Sequence, residues 1–348
     1  TNLCSTFTLE SLLRPLTATD TFPGLRKTLS VATDDTRCLA TLGTGDTDRP
    51  HVQREYLRGV LDTGAERFLD VSPEALLFEH LGAPVAALLR SPALGALACC
   101  REAETLCAEQ LNGLPTIPLT ALGVELRSAL DEAGLTGTAA GRVLLQHRGL
   151  LVWGESAGTV QDAITEVSNA LTAVLDTAGA TVSPDTEDAP CPEEIEDFVV
   201  ENAPGLRTLL GTGERRAAVV ALPFSRLPGG GLLADHLALG DTCFAKPGAV
   251  ADAVAQFKRD TGMPPRVVAA FGKAVFFAGE TLRDARRLRE QFREALAVED
   301  LAHTLGGADY LSDSECIELR QHTGCSGCCG CDTTPPGRLH GTIALVTG

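Results

Sequence analysis

The chain has 348 residues, enough for two hydrophobic cores, and 44% of them are hydrophobic, as is typical of folded rather than disordered proteins. Its 46 acidic and 29 basic residues give a formal net charge of −17. Because this charge repels nucleic acid and anionic membrane surfaces, we expect neither as a partner.

Hydrophobic periodicity predicts strands and helices that follow each other without a regular βαβ alternation. The predicted strands are 29–33, 37–42, 85–90, 94–98, 142–147, 150–154, 217–222, 266–271 and 274–278. The predicted helices are 73–81, 101–111, 121–134, 193–203, 249–261 and 282–306, with a further one after Ser156. The pattern favours an α/β protein with α+β layers around a largely antiparallel central sheet.

Two stretches of the sequence resemble each other. "RVLLQHRGLLVWGESAGTVQDAITEVSNAL" begins at Arg142, and "RVVAAFGKAVFFAGETLRDARRLREQFREAL" begins at Arg266. Each contains an apolar strand, a turn, a second apolar strand and an amphipathic helix. The offset is 266 − 142 = 124 at the start and 279 − 154 = 125 at the closing glycine, which suggests one insertion. We therefore predict two related lobes produced by an internal repeat.

The predicted domain boundaries follow from this repeat and from composition. The segment 183–194, "SPDTEDAPCPEE", is rich in proline and acidic residues and is predicted to be a linker. It separates a first lobe, 1–182, from a second lobe, 195–310. The remainder, 311–348, is predicted to be a Cys/Gly/Pro-rich tail that ends in an apolar strand.

Five of the 12 cysteines lie in this tail. Cys325, Cys328 and Cys331 have Cys-x2-Cys-x2-Cys spacing, with Cys329 between them, and such spacing lets thiolates reach one zinc ion. An unliganded connector or a redox pair are the alternatives. The other seven cysteines are scattered in apolar surroundings, and we expect most of them to be buried and reduced.

The closing segment "TIALVTG" has the composition of the first strand of a nucleotide-binding fold. A dinucleotide site also needs later glycines and a helix N-terminus for the pyrophosphate, and these do not follow in the sequence. We therefore do not expect NAD to bind this chain through that motif.

The order of several motifs resembles the class II aldolase/adducin family. The closest resemblance is to the aldolase region of bifunctional proteins that join a rhamnulose-phosphate-type aldolase to a short-chain dehydrogenase. The matching segments are "GLRKTLSVATD" (24–34), "LATLGTGD" (39–46), "SPEALLFEHL" (72–81), "LLRSPALGAL" (88–97), "LLQHRGLLVWG" (144–154) and "GRLHGTIALVTG" (337–348). The resemblance implies an αβα fold and, in active members, metal-dependent cleavage of a sugar phosphate.

The metal-ligand positions that the resemblance implies carry other residues here. The two histidines of a His-x-His pattern fall on Leu88 and Arg90, and the third falls on Arg148. Leucine has no lone pair, and arginine is a permanent cation that repels a metal. His147 lies one residue before Arg148, and on a strand it would point to the opposite face. We expect no metal or other cofactor in the lobes, and His147 is a weak candidate ligand.

The phosphate-binding loop of the resemblance is only partly matched. Its Asn and Ser fall on Lys27 and Leu29, whereas Thr28 is retained, as are Thr44 and Gly45 in the second turn. Backbone N–H groups of this turn, with Lys27 nearby, could hold an anion. An ordinary tight turn is the alternative.

Two further positions are candidates for proton transfer. Glu74 matches the acid/base position that the resemblance implies. Adjacent Asp235 and His236 could orient an imidazole, although neighbours in sequence often point apart. Without a metal, Glu74 is an ordinary glutamate near a helix start.

Three functions follow as hypotheses. The first is a catalytically degenerate aldolase-like protein with a structural role, as a homo-oligomer or a subunit of a larger complex. The second is an active lyase that uses Glu74 with a rebuilt site around Arg90, Arg148 and His147. The third is binding of an anion by these arginines without turnover.

The sequence has no apolar run long enough to span a bilayer, and it does not begin with the basic and apolar regions of a secretory signal. We expect no membrane insertion. We expect the protein in the cytoplasm or inside an organelle. Earlier removal of a transit peptide is an alternative that the sequence leaves open.

Overall fold

A computed structural model of the chain describes residues 81, 83, 85–119, 124–180, 192–211, 215–239, 242–316 and 319. These residues divide into two compact units. The first unit comprises the described residues within Thr1–Thr181, Gly230–Ala234 and Ala297–Gly324. The second unit comprises those within Val182–Gly229 and Asp235–Leu296.

The first unit contains a four-stranded sheet with strand order β1-β4-β3-β2. The β1–β4 and β4–β3 pairs are antiparallel, and the β3–β2 pair is parallel. Its strands are β1 (Val85–Leu89), β2 (Thr116–Ile117), β3 (Gly141–Leu145) and β4 (Gly149–Gly154). Its helices are α1 (Pro92–Ala98), α2 (Ala103–Glu109), α3 (Val124–Glu132) and α4 (Ala157–Thr177).

Both faces of this first sheet are covered, because its strands alternate apolar side chains between two clusters. Leu144, Leu150 and Val152 pack with α1, α2 and α4 on one face. Val143 and Trp153 pack with α3 on the other face. The result is a sheet between two helical layers, which explains why β4 is buried along its whole length.

The second unit contains a sheet with strand order β5-β8-β7-β6. Its strands are β5 (Ala218–Pro223), β6 (Thr242–Ala245), β7 (Val267–Ala270) and β8 (Ala274–Gly279). Its helices are α5 (Glu193–Leu209), α6 (Val250–Thr261) and the first part of α7 (Leu282–Thr304), with short 3-10 helices at Ala234–Leu239 and Pro247–Ala249. Helices α5 and α6 pack with Val268 and Phe276 on one face, whereas Leu288 and Phe292 of α7 pack with Phe277 on the other.

The two sheets have the same strand order and the same pairing directions. In each sheet, the first strand of the hairpin pairs in parallel with one edge strand. The second strand of the hairpin pairs antiparallel with the opposite edge strand. The hairpins align at a constant offset of 125 residues. Arg142 pairs with Val152 in the first unit, and Val267 pairs with Phe277 in the second (267 − 142 = 125 and 277 − 152 = 125). The insertion expected from the sequence is therefore absent, and Arg142 aligns with Val267 rather than Arg266.

Most described elements agree with the prediction, but the strand predicted at 94–98 is wrong. The chain forms helix α1 there, because Ser91 accepts a hydrogen bond from the backbone N–H of Leu94 at 3.3 Å and Pro92 occupies the first turn. All five residues of "LGALA" are buried, so this segment has no polar face that would distinguish a helix from a buried strand. The short edge strands β2 and β6 were not predicted.

Both long helices that follow the hairpins begin at a capping side chain. Ser156 accepts a hydrogen bond from the backbone N–H of Thr159 at 3.1 Å. Thr281 and Asp284 cap each other reciprocally, with the Thr281 hydroxyl oxygen accepting from the Asp284 N–H at 3.2 Å and Asp284 Oδ2 accepting from the Thr281 N–H at 3.0 Å. These caps fix where each helix leaves its hairpin.

The fold is thus mixed α/β, as expected, with two mixed sheets in place of one largely antiparallel central sheet. The compact units also differ from the predicted lobes 1–182 and 195–310, because 230–234 and 297–310 group with the first unit. Leu232, Leu233 and Val298 explain this, since all three are buried in the apolar core of that unit. The predicted linker 183–194 lies outside the described residues except at its end.

Candidate functional site

Two arginines meet where β1 ends beside the turn between β3 and β4. Leu89 is the last residue of β1 and pairs with Leu150, so Arg90 comes level with Gly149. The Nε of Arg90 donates a hydrogen bond to the carbonyl oxygen of Arg148 at 3.0 Å. The structure therefore brings together Arg90 and Arg148, which the resemblance places at two of three metal-ligand positions.

Gly149 permits this close approach. Its φ is +120°, and a Cβ at this position would overlap the carbonyl oxygen of Leu89. Only glycine adopts such a conformation without strain, so the end of β1 and the turn can pack in direct contact. The third implied position, Leu88, packs instead against the apolar cluster that contains Trp153.

These three residues do not fit a divalent metal. The Arg148 side chain is buried with the residue 2% exposed, and a guanidinium is protonated at every accessible pH. Leu88 offers only carbon atoms. A metal at this place would face one or two fixed positive charges and no imidazole, so no catalytic step through a metal is derived from it.

His147 lies in the turn between β3 and β4, not on a strand as the sequence predicted. Strand β3 ends at Leu145, and His147 adopts a left-handed backbone with φ of +57°. Its aligned position in the second unit, 125 residues later, is Gly272 with φ of +71°. A histidine in this conformation is uncommon, so its side-chain contacts hold it there at some cost in strain.

The contacts of His147 are those of a buried structural residue, which is 5% exposed. Its backbone N–H donates to the carbonyl oxygen of Ala98 at 2.9 Å. Its Nδ1 lies 2.8 Å from the carbonyl oxygen of Leu232, which can only accept, so Nδ1 carries the proton. Its Nε2 lies 3.5 Å from Oδ2 of Asp309. The imidazole thus joins the hairpin turn to 232 and 309 within the first unit.

One free thiol lies close to this histidine. The Sγ of Cys99 donates to the same Leu232 carbonyl oxygen at 3.0 Å. The described cysteines Cys99, Cys100, Cys107 and Cys243 are all free and buried, as the sequence predicted for the scattered cysteines. Burial raises the pKa of Cys99 well above its usual range, with the nearby Cys100 and Asp309 contributing. The raised pKa and burial make the Cys99 thiol a poor nucleophile in the folded protein.

Alkylation of these thiols should depend on folding. Burial raises the pKa of Cys100 to about 12 and that of Cys107 to about 11, so both stay protonated when unfolded thiols, with pKa about 8.5, ionise. The two protonated thiols contribute fully to the free energy of unfolding below the unfolded pKa of about 8.5, and this contribution is lost as the pH rises toward their pKa in the folded protein. At about pH 8.5, iodoacetamide should label both at least about tenfold more slowly in the native than in the urea-unfolded chain.

Peptide mass spectrometry gives the labelling rates, and the half-exposed Cys316 serves as the internal control that should react faster. Equal rates for Cys100 in the native and unfolded chain would contradict the burial of this thiol.

A second polar cluster was not predicted. Glu299 on α7 is buried, at 3% exposed, and accepts a hydrogen bond from the hydroxyl of Tyr310 at 2.6 Å. The same hydroxyl oxygen lies 3.3 Å from Nε2 of His303. The spacing of Glu299 and His303, four residues apart on one helix, was the available signal. The cluster attaches the chain after α7 to the end of that helix.

The remaining candidates are distributed as follows. His236 is buried in the 3-10 helix Ala234–Leu239. Outside the described residues lie Lys27, Thr28, Thr44, Gly45, Glu74, Cys325, Cys328, Cys329 and Cys331. Within the described part, no group of three or more His, Cys, Asp or Glu side chains is arranged to hold a metal ion. No described helix combines the length and apolarity needed to cross a bilayer.

Comparison of the chain with protein-family models, with characterised proteins and with solved structures gives no match. The site is therefore interpreted from its own geometry: a buried arginine and a half-buried one at the strand ends, beside a histidine that is fully engaged in structural contacts.

Proposed function

We propose that this chain is a catalytically degenerate class II aldolase-like protein that serves as a structural subunit of a larger assembly. The observation that carries the proposal is the hydrogen bond from Arg90 to the Arg148 carbonyl oxygen, at the strand ends where the resemblance implies imidazole ligands. Two guanidinium groups cannot replace imidazoles as ligands, because they have no lone pair to donate.

The surroundings of these arginines also support a structural role. A lyase of this class needs a metal with open positions for substrate oxygens and a carboxylate that moves the proton. His147, the one imidazole at this turn, is occupied by Leu232 and lies beside Asp309, and its backbone is fixed by Ala98. Turning this ring toward a metal would break those contacts.

The matching hairpins support the expectation of an internal repeat. The backbone N–H of Gln146 donates to the carbonyl oxygen of Ile117 at 2.9 Å, and that of Phe271 donates to Ala245 at 3.2 Å. Each donor is 125 residues from its counterpart (271 − 146), and each acceptor occupies the last position of its edge strand. We infer that the two units arose by duplication, and that neither turn retained metal ligands.

Metal analysis of the purified chain tests the proposed function. We expect the lobes to hold no stoichiometric zinc, so changing His147 to Ala should leave the metal content as it is. If the tail binds zinc, changing Cys325 and Cys328 to Ser should remove about one zinc per chain. Inductively coupled plasma mass spectrometry on all three proteins measures this directly.

The opposite pattern would overturn the proposal. Near-stoichiometric metal that is lost on His147→Ala and retained in the cysteine variant would mean a working metal site in the first unit. The remaining alternative, binding of an anion without turnover, depends on the same two arginines and stays a prediction.

A further inference from the structure

Two exposed phenylalanines and a half-buried third one form a row at one end of the second unit's sheet. Phe244 and Phe271 stack with ring centroids 5.8 Å apart and planes 10° apart. Phe271 and Phe224 meet edge to face, with centroids 5.5 Å apart at 66°. Phe244 is 58% exposed and Phe271 is 49% exposed. We call these three residues the phenylalanine row.

The row is held rigidly by the ends of three chain segments. Phe244 belongs to the edge strand β6 and pairs with Ala269. The turn that carries Phe271 is bound to β6 by the hydrogen bond to Ala245, and to Phe224 because the Phe224 N–H donates to the carbonyl oxygen of Lys273 at 2.9 Å. A fixed aromatic surface loses little conformational entropy when it binds a partner.

The first unit carries polar residues at the corresponding positions. The counterparts of Phe244 and Phe271 there are Thr116 and Gln146, and the thiol of Cys107 on α2 forms a hydrogen bond with Thr116. Between β5 and β6, the described residues 224–239 form no α-helix. The second unit thus exposes phenylalanine at positions whose counterparts in the first unit are polar. One of these polar counterparts, Thr116, lies against helix α2.

Exposed phenylalanine is unusual in this chain. Only 4% of its residues are aromatic, and 12 of them are phenylalanine, so aromatic side chains are scarce. Phe276 and Phe277 on the neighbouring strand β8 are fully buried. A contiguous exposed aromatic group in such a chain marks an interaction site more often than a chance exposure.

The charges beside the row indicate which partner it fits. Lys246 directly follows β6 and is exposed. The Nζ of Lys273 lies 3.5 Å from Oε2 of Glu194, whose side chain is 87% exposed. Both signs of charge therefore flank the row, which suits a surface that faces its own copy across a two-fold axis, where each sign can meet the other.

We propose that the phenylalanine row is the centre of a two-fold interface between two copies of this chain. Phe244 and Phe271 of one copy pack on the same residues of the other, with Lys246 and Glu194 at the rim. The proposal deepens the structural role proposed above and rests on it. It names the partner as a second copy and the face as the end of the second sheet.

Sedimentation equilibrium of the full chain over a range of concentrations tests the interface. We expect the wild type to dimerise, and changing both Phe244 and Phe271 to Ser to raise the dissociation constant by about 100-fold or more, since buried aromatic residues dominate such contacts. The matched controls are Met263→Ser and Val200→Ser, because both residues are exposed, at 54% and 67%, and lie outside the row. They should dimerise like the wild type.

A second measurement needs no variant. Hydrogen–deuterium exchange of the wild type at high and low concentration should show slower exchange at 244–246 and 271–273 in the dimer. A wild type that stays monomeric, or a dimer unaffected by the double substitution and unprotected at these amides, overturns the interface. Zinc in the lobes overturns the proposed function instead, so the two failures are distinguishable.

Discussion

Replacing Gly149 by alanine is expected to destabilise the first unit by about 2–4 kcal/mol. The φ of +120° at this position is accessible almost only to glycine, and the added methyl would overlap the backbone carbonyl oxygen of Leu89. Because backbone atoms cannot move aside cheaply, β1 and the hairpin would have to separate. Trp153 is the one tryptophan of the chain and lies on the same strand as Gly149, so its fluorescence during urea unfolding reports the change.

The control for this substitution is Gly158→Ala. Gly158 lies in the first turn of α4, where the nearest atom to an added Cβ is the Ser156 hydroxyl oxygen at 3.7 Å. Alanine is favoured over glycine in a helix by up to about 1 kcal/mol, so the control should be neutral or slightly stabilising. Equal midpoints for both variants would show that the hairpin does not need its glycine.

Changing Phe277 to Ala is expected to cost about 3–5 kcal/mol of unfolding free energy. Phe277 is fully buried on β8, and its ring meets Phe292 of α7 edge to face, with centroids 5.2 Å apart. The substitution removes this contact and leaves a cavity between the sheet and the helix, at a place where neighbouring strands prevent collapse. Urea unfolding followed by far-ultraviolet circular dichroism measures the loss.

The graded control is Phe277→Leu, which retains most of the buried volume and should cost clearly less than the alanine variant. The two variants together separate cavity formation from a general intolerance to change. If Phe277→Ala unfolded at the same urea concentration as the wild type, the packing of α7 against the second sheet would be incorrect.

The sequence predicted the second unit's hairpin and its helices well. Residues 266–279 consist of two apolar runs on either side of one turn. Thr281 and Asp284, which cap α7, follow them, so local chemistry alone determined that order of elements. The failure at 94–98 has a physical cause. A short helix that is buried on most sides has the same apolar composition as a buried strand, and only the Ser91-Pro92 start distinguishes them.

The resemblance implies that Arg90 and Arg148 occupy ligand positions of one site, and in the structure the Arg90 side chain donates a hydrogen bond to the Arg148 carbonyl oxygen. The conformation of His147 was missed, although its counterpart Gly272 in the repeat was a usable signal, because a glycine at one copy of a turn suggests a left-handed backbone in both.

By itself, the sequence determined the charge, the apolar periodicity, the helix caps and the likeness of the two halves, because each depends on residues close together in the chain. Only the tertiary structure decided that Leu232 and Asp309 would engage His147, and that Phe224, Phe244 and Phe271 would form one row. These contacts join residues far apart in sequence. Strand pairing and the packing of helices on the sheets bring these residues together, and no local sequence pattern predicts such contacts.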